Sequence, residues 1–202
     1  MTSAREIVIA LLLGLPLGPA ALASLKQDGL WRRDTQHLAL GHRSPTQQPV
    51  SAAAHAALAC GGFSPLLSQS IMQDMWEKFI FLTGYAGVTC MMRAPIGVIS
   101  RTGEGASIAT QLLDECAAVA TASGFSPRSQ FIAESQKTLT DKTSTGRSSM
   151  LRDLQRRARN EHDHILGDML GRATSLGIST PVLRIADTIL KVYETTLPAS
   201  VA

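Results

Sequence analysis

From Ser68 onward the apolar residues recur at helical spacing, and this constrains the fold more than any other feature. Ile71, Met75, Phe79 and Leu82 fall at i, i+4, i+8 and i+11, and Ile108, Leu112, Cys116 and Val119 repeat the pattern. Ile165, Leu166, Met169, Leu170, Ala173 and Leu176 share one side of a third segment. A strand would need strict alternation instead. Pro95, Gly124, Gly177 and Pro198 end the periodic runs, as helix stops do. Ala, Leu, Met, Gln and Arg abound and aromatic residues make up 4% of the chain, so intrinsic preference agrees with the period. The expected fold class is mainly α, a helical bundle. At 202 residues the chain is long enough for one or two domains with a sizeable core.

The breakers divide the chain as follows. Residues 1–50 read as an irregular N-terminal segment, and residues 51–202 as a helical domain. An Ala-rich helix is expected over 51–60, stopped by Gly61 and Gly62, then a short extended piece over 63–67. Ser68 is placed to cap a helix running to Thr83, with a second helix from Val88 to Met92. Further helices are expected over 104–123 and 129–140, with a polar loop over 141–147. Ser148 caps the next segment, 161–176 forms an amphipathic helix, and Thr180 with Pro181 opens the last one.

Residues 1–23 admit two readings. Arg5, the apolar run from Ile7 to Leu17 and the Ala21-Leu22-Ala23 triplet match a secretory signal peptide, which implies export. The alternative is a hydrophobic strand and helix left from a nucleotide-binding domain, in a cytoplasmic protein. Gly14, Pro16, Gly18 and Pro19 interrupt the run, so no membrane-spanning helix is expected.

Several functions are disfavoured. The formal net charge is only +3, concentrated as four arginines between Arg152 and Arg159, without the broad basic surface and aromatic platforms of a nucleic-acid binder. Cys60, Cys90 and Cys116 form no CxxC pair, so neither a disulfide framework nor a cysteine zinc site is expected. His162, Asp163, His164 and Asp168 cluster in sequence, but only His164 and Asp168 share a helical face, and two ligands do not hold zinc. They are read as a solvated polar face, and no metal site is assigned.

Three segments carry a resemblance: Trp76-Glu77-Lys78, then Ser148-Ser149-Met150-Leu151-Arg152-Asp153, then Asn160-Glu161. Together they resemble the C-terminal half of ketopantoate reductases (2-dehydropantoate 2-reductases), over about residues 37–197. His37-Leu38-Ala39-Leu40-Gly41 resembles the last strand of the nucleotide-binding domain in that family. The resemblance implies the all-helical C-terminal domain shared with 6-phosphogluconate-dehydrogenase-like proteins. It also implies hydride transfer from NADPH to a small 2-keto acid, on the route to pantothenate. Lys78 and Glu161 are the implied catalytic pair, and Ser149 the implied substrate-binding residue. A lysine beside an apolar stripe has the chemistry for this, because desolvation lowers its pKa and makes it a proton donor near neutral pH. Ser149, at a helix start, offers a hydroxyl and backbone N–H groups to a carboxylate.

Two departures stand out. The family has asparagines four and eight residues after the lysine, where this chain has Leu82 and Ala86. Thr83 and Thr89 are the nearby polar alternatives. The G-x-G-x-x-G fingerprint of a dinucleotide site is also missing, since Gly103-Glu104-Gly105 lacks the third glycine and follows no strand. No cofactor is expected to bind this chain alone. It is expected to be inactive by itself and to pair with a separate nucleotide-binding domain or a second copy. The other reading is a non-catalytic helical binding or dimerisation module.

Overall fold

A computed structural model describes residues 8–11, 38–59 and 65–197. The chain divides into two compact units, Met1–Met75 and Trp76–Ala202. The first unit holds a three-stranded sheet in the order β1 (Val8–Leu11), β2 (Leu38–Gly41), β3 (Leu66–Ser68). β1 runs antiparallel to β2, and β2 parallel to β3. Four residues of the N-terminal apolar run, Val8–Leu11, form β1. The signal-like features on either side lie outside the described residues, as does Cys60. Helix α1 (Gln48–Ala59) fills the crossover between β2 and β3. It starts three residues earlier than its Ala-rich core suggests, because Pro45–Gln47 forms a 3-10 turn that leads into it. Gly41 is required where it stands: a Cβ there would lie 2.7 Å from the Cβ of Ile71 and 2.8 Å from the Ser68 carbonyl.

Helix α2 (Ile71–Met92) is one continuous helix of 22 residues, where two were expected. Gly84 and Gly87 do not break it, because both face another helix. A Cβ on Gly84 would touch Leu113 at 3.6 Å, and one on Gly87 would press on Leu112 at 2.8 Å. The glycines admit a close helix–helix approach and carry no turn. The buried face of α2 also differs from the expected one. Met75 and Leu82 are exposed, while Trp76, Ile80, Thr83 and Cys90 are buried. Counting apolar residues alone picks the wrong stripe here, since Thr83 and the two glycines hold core positions.

The second unit continues with α3 (Ile96–Ser100), α4 (Gly105–Ala122), α5 (Ser129–Leu139), α6 (Ser149–Gln155), a π-helical turn (Asp163–Gly167), α7 (Asp168–Ser175) and α8 (Pro181–Thr195). Its core is built from fully buried Ile80, Leu112, Leu113, Leu166, Met169 and Leu190, with Cys90 and Cys116 as buried free thiols. Burial pushes the Cys90 thiol up to about 11, which leaves it unreactive. Among the described residues no helix is long and apolar enough to cross a membrane.

Two buried carboxylates organise this bundle, and both act on the start of another helix. Glu77 of α2 accepts the backbone N–H of Arg128 at 2.8 Å and pairs with that residue's guanidinium, fixing the first turn of α5. Glu115 of α4 accepts the N–H groups of Val182 and Leu183 at 3.1 and 2.9 Å, fixing the first turn of α8. Thr180 occupies the cap position of α8 as expected, yet its buried hydroxyl has no partner. Glu115 takes its place. A helix N-terminus favours a carboxylate whichever part of the chain supplies it.

The loop at 141–147 is held against α3. Ile96 and Gly97 donate their amides to the carbonyls of Gly146 and Ser144, at 3.1 and 2.9 Å. A Cβ on Gly97 would collide with the Ser144 carbonyl and lie 2.8 Å from that of Lys142. Backbone atoms cannot yield as a side chain can. Gly97→Ala is therefore expected to cost about 2–3 kcal/mol through overpacking and the lost loop bonds. Gly103→Ala, with nothing within 4 Å of the new methyl, should stay near wild type. Urea melts of the two variants check this, and equal stability would contradict the close approach.

Candidate functional site

The implied site residues lie on three segments of the second unit. Lys78 sits on α2 and is half-buried, and burial holds its ammonium pKa below the ordinary 10.5. Leu82, Tyr85 and Thr89 follow it at i+4, i+7 and i+11, so the four form one stripe of the helix. Leu82 is exposed one turn beyond the lysine. Tyr85 stacks on Phe81 with ring centroids 5.4 Å apart, and its hydroxyl fills the space that a side chain on Gly146 would need. Burial raises the Tyr85 phenol pKa, opposed by the charge of Arg152 on α6.

Thr89 ties this stripe to the serine segment. Its hydroxyl lies 2.7 Å from the Tyr85 carbonyl and 2.8 Å from the Ser148 hydroxyl. Ser148 caps α6 as expected, accepting the Leu151 N–H at 3.0 Å. Thr89 is thus committed to positioning α6, whereas the Thr83 hydroxyl is buried without a hydrogen-bond partner. Ser149, the first residue of α6, is exposed. Because Ser148 carries the cap, the Ser149 hydroxyl is not needed for that task. Along α2, Lys78 and Thr89 are separated by roughly 16 Å of helix axis at 1.5 Å per residue.

Glu161 is exposed where the chain leaves the α6–α7 connection. Its carbonyl accepts the amides of His164 and Ile165 at 3.1 and 3.2 Å, and Asn160 supplies the side-chain cap, accepting the His162 N–H at 3.0 Å. The expected uninterrupted helix over 161–176 is replaced by a π-helical turn followed by α7. The extra residue of a π turn is not visible in apolar spacing, and such turns recur at functional sites.

The polar face expected over 162–168 is solvated only in part. His164 and Asp168 are exposed, and Asp168 pairs with Arg172 at 2.8 Å. His162 is buried, at 1% exposure. Arg172 also lies over the Trp76 ring, 5.2 Å from its centroid, and Trp76 stacks on Phe125. Asp163, Gly167, Gly171 and Arg172 are among the residues that line a groove of about 920 Å³, and none of Lys78, Ser149 and Glu161 lines it. Neither the groove nor the two buried carboxylates were found from sequence. The signal that pointed there was weak, a run of acidic and histidine residues beside Glu161.

Residues 70–194 match the family described as "Ketopantoate reductase PanE/ApbA C terminal". An uncharacterized oxidoreductase of Bacillus subtilis strain 168, YkpB, is 32% identical over 129 residues, covering 64% of this chain and 43% of that protein. A 2-dehydropantoate 2-reductase of Halobacterium salinarum is 28% identical over 129 residues, covering 64% of this chain and 42% of that protein. The chain thus spans less than half the length of these relatives. A PanE/ApbA family ketopantoate reductase from Ralstonia eutropha JMP134 has a similar structure, with a TM-score of 0.71 at 23% identity over 82% of this chain and 54% of that one. A D-mandelate dehydrogenase solved with NADH and anilino(oxo)acetate follows at 0.69 and 17%, over 80% and 53%. The structural likeness supports the helical fold, and the family match over 70–194 identifies the chain as a member of the ketopantoate reductase C-terminal family.

Proposed function

We propose that this chain is the substrate side of an NADPH-dependent 2-keto acid reductase that acts in the cytoplasm beside a nucleotide-binding half. The observation that carries the reading is the family match over residues that include Lys78, Ser149 and Glu161. Lys78 gives the proton that the substrate oxygen needs once hydride has arrived. Its partial burial fits that task, because a lysine with a lowered pKa gives up its proton more readily. Glu161 orients Lys78 or holds the product hydroxyl. Ser149 takes the substrate carboxylate. NADPH, when present, supplies the hydride, and the protein contributes position and the proton.

Leu82 and Ala86 stand where the family has asparagines, so two amide contacts to substrate are gone. With Leu82 exposed one turn from Lys78, an apolar branch on the keto acid suits this chain better than the hydroxylated branch of ketopantoate. A dimer also fits, since a related ketopantoate reductase of Staphylococcus aureus is described as dimeric.

The reading makes the chain dependent on a dinucleotide site that its own residues do not spell out. NADPH fluorescence titrated with the purified chain should show no saturable binding in the micromolar range. Adding a nucleotide-binding domain from a family relative should restore NADPH oxidation with a branched apolar 2-keto acid. Micromolar NADPH binding by the chain alone, or no activity with any supplied domain, would contradict it.

A further inference from the structure

We infer that His162, Asp163 and Asp187 form a site for one divalent transition-metal ion of the zinc class, at the rim of the groove beside α7. The π-helical turn brings Asp163, and the residue before it, against α8, which carries Asp187, Lys191 and Glu194. One donor atom from each of His162, Asp163 and Asp187 lies within 4.8 Å of the others. Neither ring nitrogen of the buried His162 has a hydrogen-bond partner. Its Nε2 instead faces Asp163 Oδ1 at 3.5 Å and Glu194 Oε2 at 3.8 Å, both too long for a hydrogen bond. Asp187, 2% exposed, receives the Lys191 ammonium on Oδ2 at 2.8 Å while its buried Oδ1 has no partner.

His162 Nε2 and Asp187 Oδ1 are buried and unpartnered, which buried polar groups rarely tolerate. The charges do not balance. Three carboxylates, Asp163, Asp187 and Glu194, face one ammonium, Lys191, which leaves two negative charges when the imidazole is neutral. A divalent ion matches that surplus. The absent side chain of Gly167 keeps the space open, since a Cβ there would sit 3.4 Å from Asp163 Oδ1 and 3.8 Å from Asp187 Oδ1. Asp163, Gly167 and Lys191 all line the groove, so an ion can enter and keep water on its remaining positions. An imidazole nitrogen with carboxylate oxygens is a borderline donor set, suited to zinc and its neighbours above magnesium or calcium. Bonds of about 2.0–2.2 Å require the donors to close in slightly, and the exposed Asp163 has room to move.

The test uses the full chain, stripped with chelator and titrated with zinc by calorimetry and with cobalt by absorption. One equivalent should bind, and saturating zinc should raise the melting temperature. Asp163→Asn, whose side chain is exposed, should fold normally by circular dichroism and bind at least tenfold more weakly. His162→Gln should behave alike if it folds, and Asp168→Asn, in the same groove but paired with Arg172, should bind like wild type. Absence of saturable binding, or unchanged affinity in Asp163→Asn, would overturn the assignment.

Discussion

Glu115→Ala is expected to cost about 3–5 kcal/mol, the largest stability effect of any single substitution considered. Glu115 lies inside the bundle and accepts three hydrogen bonds, from the amides of Val182 and Leu183 and from the Gln111 side chain at 3.2 Å. Removing it leaves the buried Leu183 amide and the half-buried Val182 amide without acceptors, at roughly 1–3 kcal/mol each with the second at the low end. It also removes the carboxylate that the α8 dipole favours, worth up to about 2 kcal/mol in a partly buried setting. Nothing local replaces it, because the Thr180 side chain does not cap the helix. Glu115→Gln keeps one acceptor oxygen but turns an amide donor toward a backbone N–H, so an intermediate loss is expected. Glu134→Ala, on an exposed face with a single contact to Gln130, should change stability by less than about 0.5 kcal/mol. Urea unfolding followed by far-ultraviolet circular dichroism ranks the three. A Glu115→Ala variant as stable as Glu134→Ala would show that α8 needs no cap from α4.

Lys78 should dominate the chemistry as Glu115 dominates the fold. In a preparation complemented with a nucleotide-binding domain, Lys78→Met is expected to lower kcat by roughly 100- to 10,000-fold, the usual span for losing a general acid. Far-ultraviolet circular dichroism and a urea melt of the same variant separate loss of chemistry from loss of fold. Lys78→Arg should rescue little, since a guanidinium does not release its proton. The pH dependence follows from the sign of the shift. The donor must be protonated, and burial lowers its pKa, so activity should fall as pH rises through a value below 10.5. Loss of activity with equal loss of stability would place Lys78 in the fold and not in the reaction.

The fold was legible where the sequence writes it locally. Gly124 and Gly177, both at positive φ, end helices as their positions indicated, and Ser148 caps α6. These signals act within a few residues. What escaped notice depends on distance in the chain. The carboxylate that caps α8 comes from residue 115, and nothing near Pro181 announces it. Gly84 and Gly87 look like breaks until the facing Leu113 and Leu112 are known. Arg93 and Arg157 both end helices at positive φ, where glycine would be the ordinary choice; Pro95 marks the first stop in the sequence, and nothing marks the second. Leu176 is exposed although the helical period placed it inside, because it is the C-cap residue beyond the last turn of α7. For the site, the motif named three residues, but the cluster of His162 with Asp187 joins positions that no motif spans.

In the proposed function Lys78 and Glu161, far apart in sequence, serve one site. Titration of the Lys78 amine by carbon-13 NMR after reductive methylation tests it on the chain itself. Lys78 should titrate below the ordinary lysine value because of burial. Glu161→Gln should lower it further, because a nearby carboxylate favours the charged amine and its removal withdraws that support. Charges within about 10 Å still sense one another at 0.1 M salt. A Lys78 that titrates like a solvent lysine and ignores Glu161→Gln would contradict the shared site.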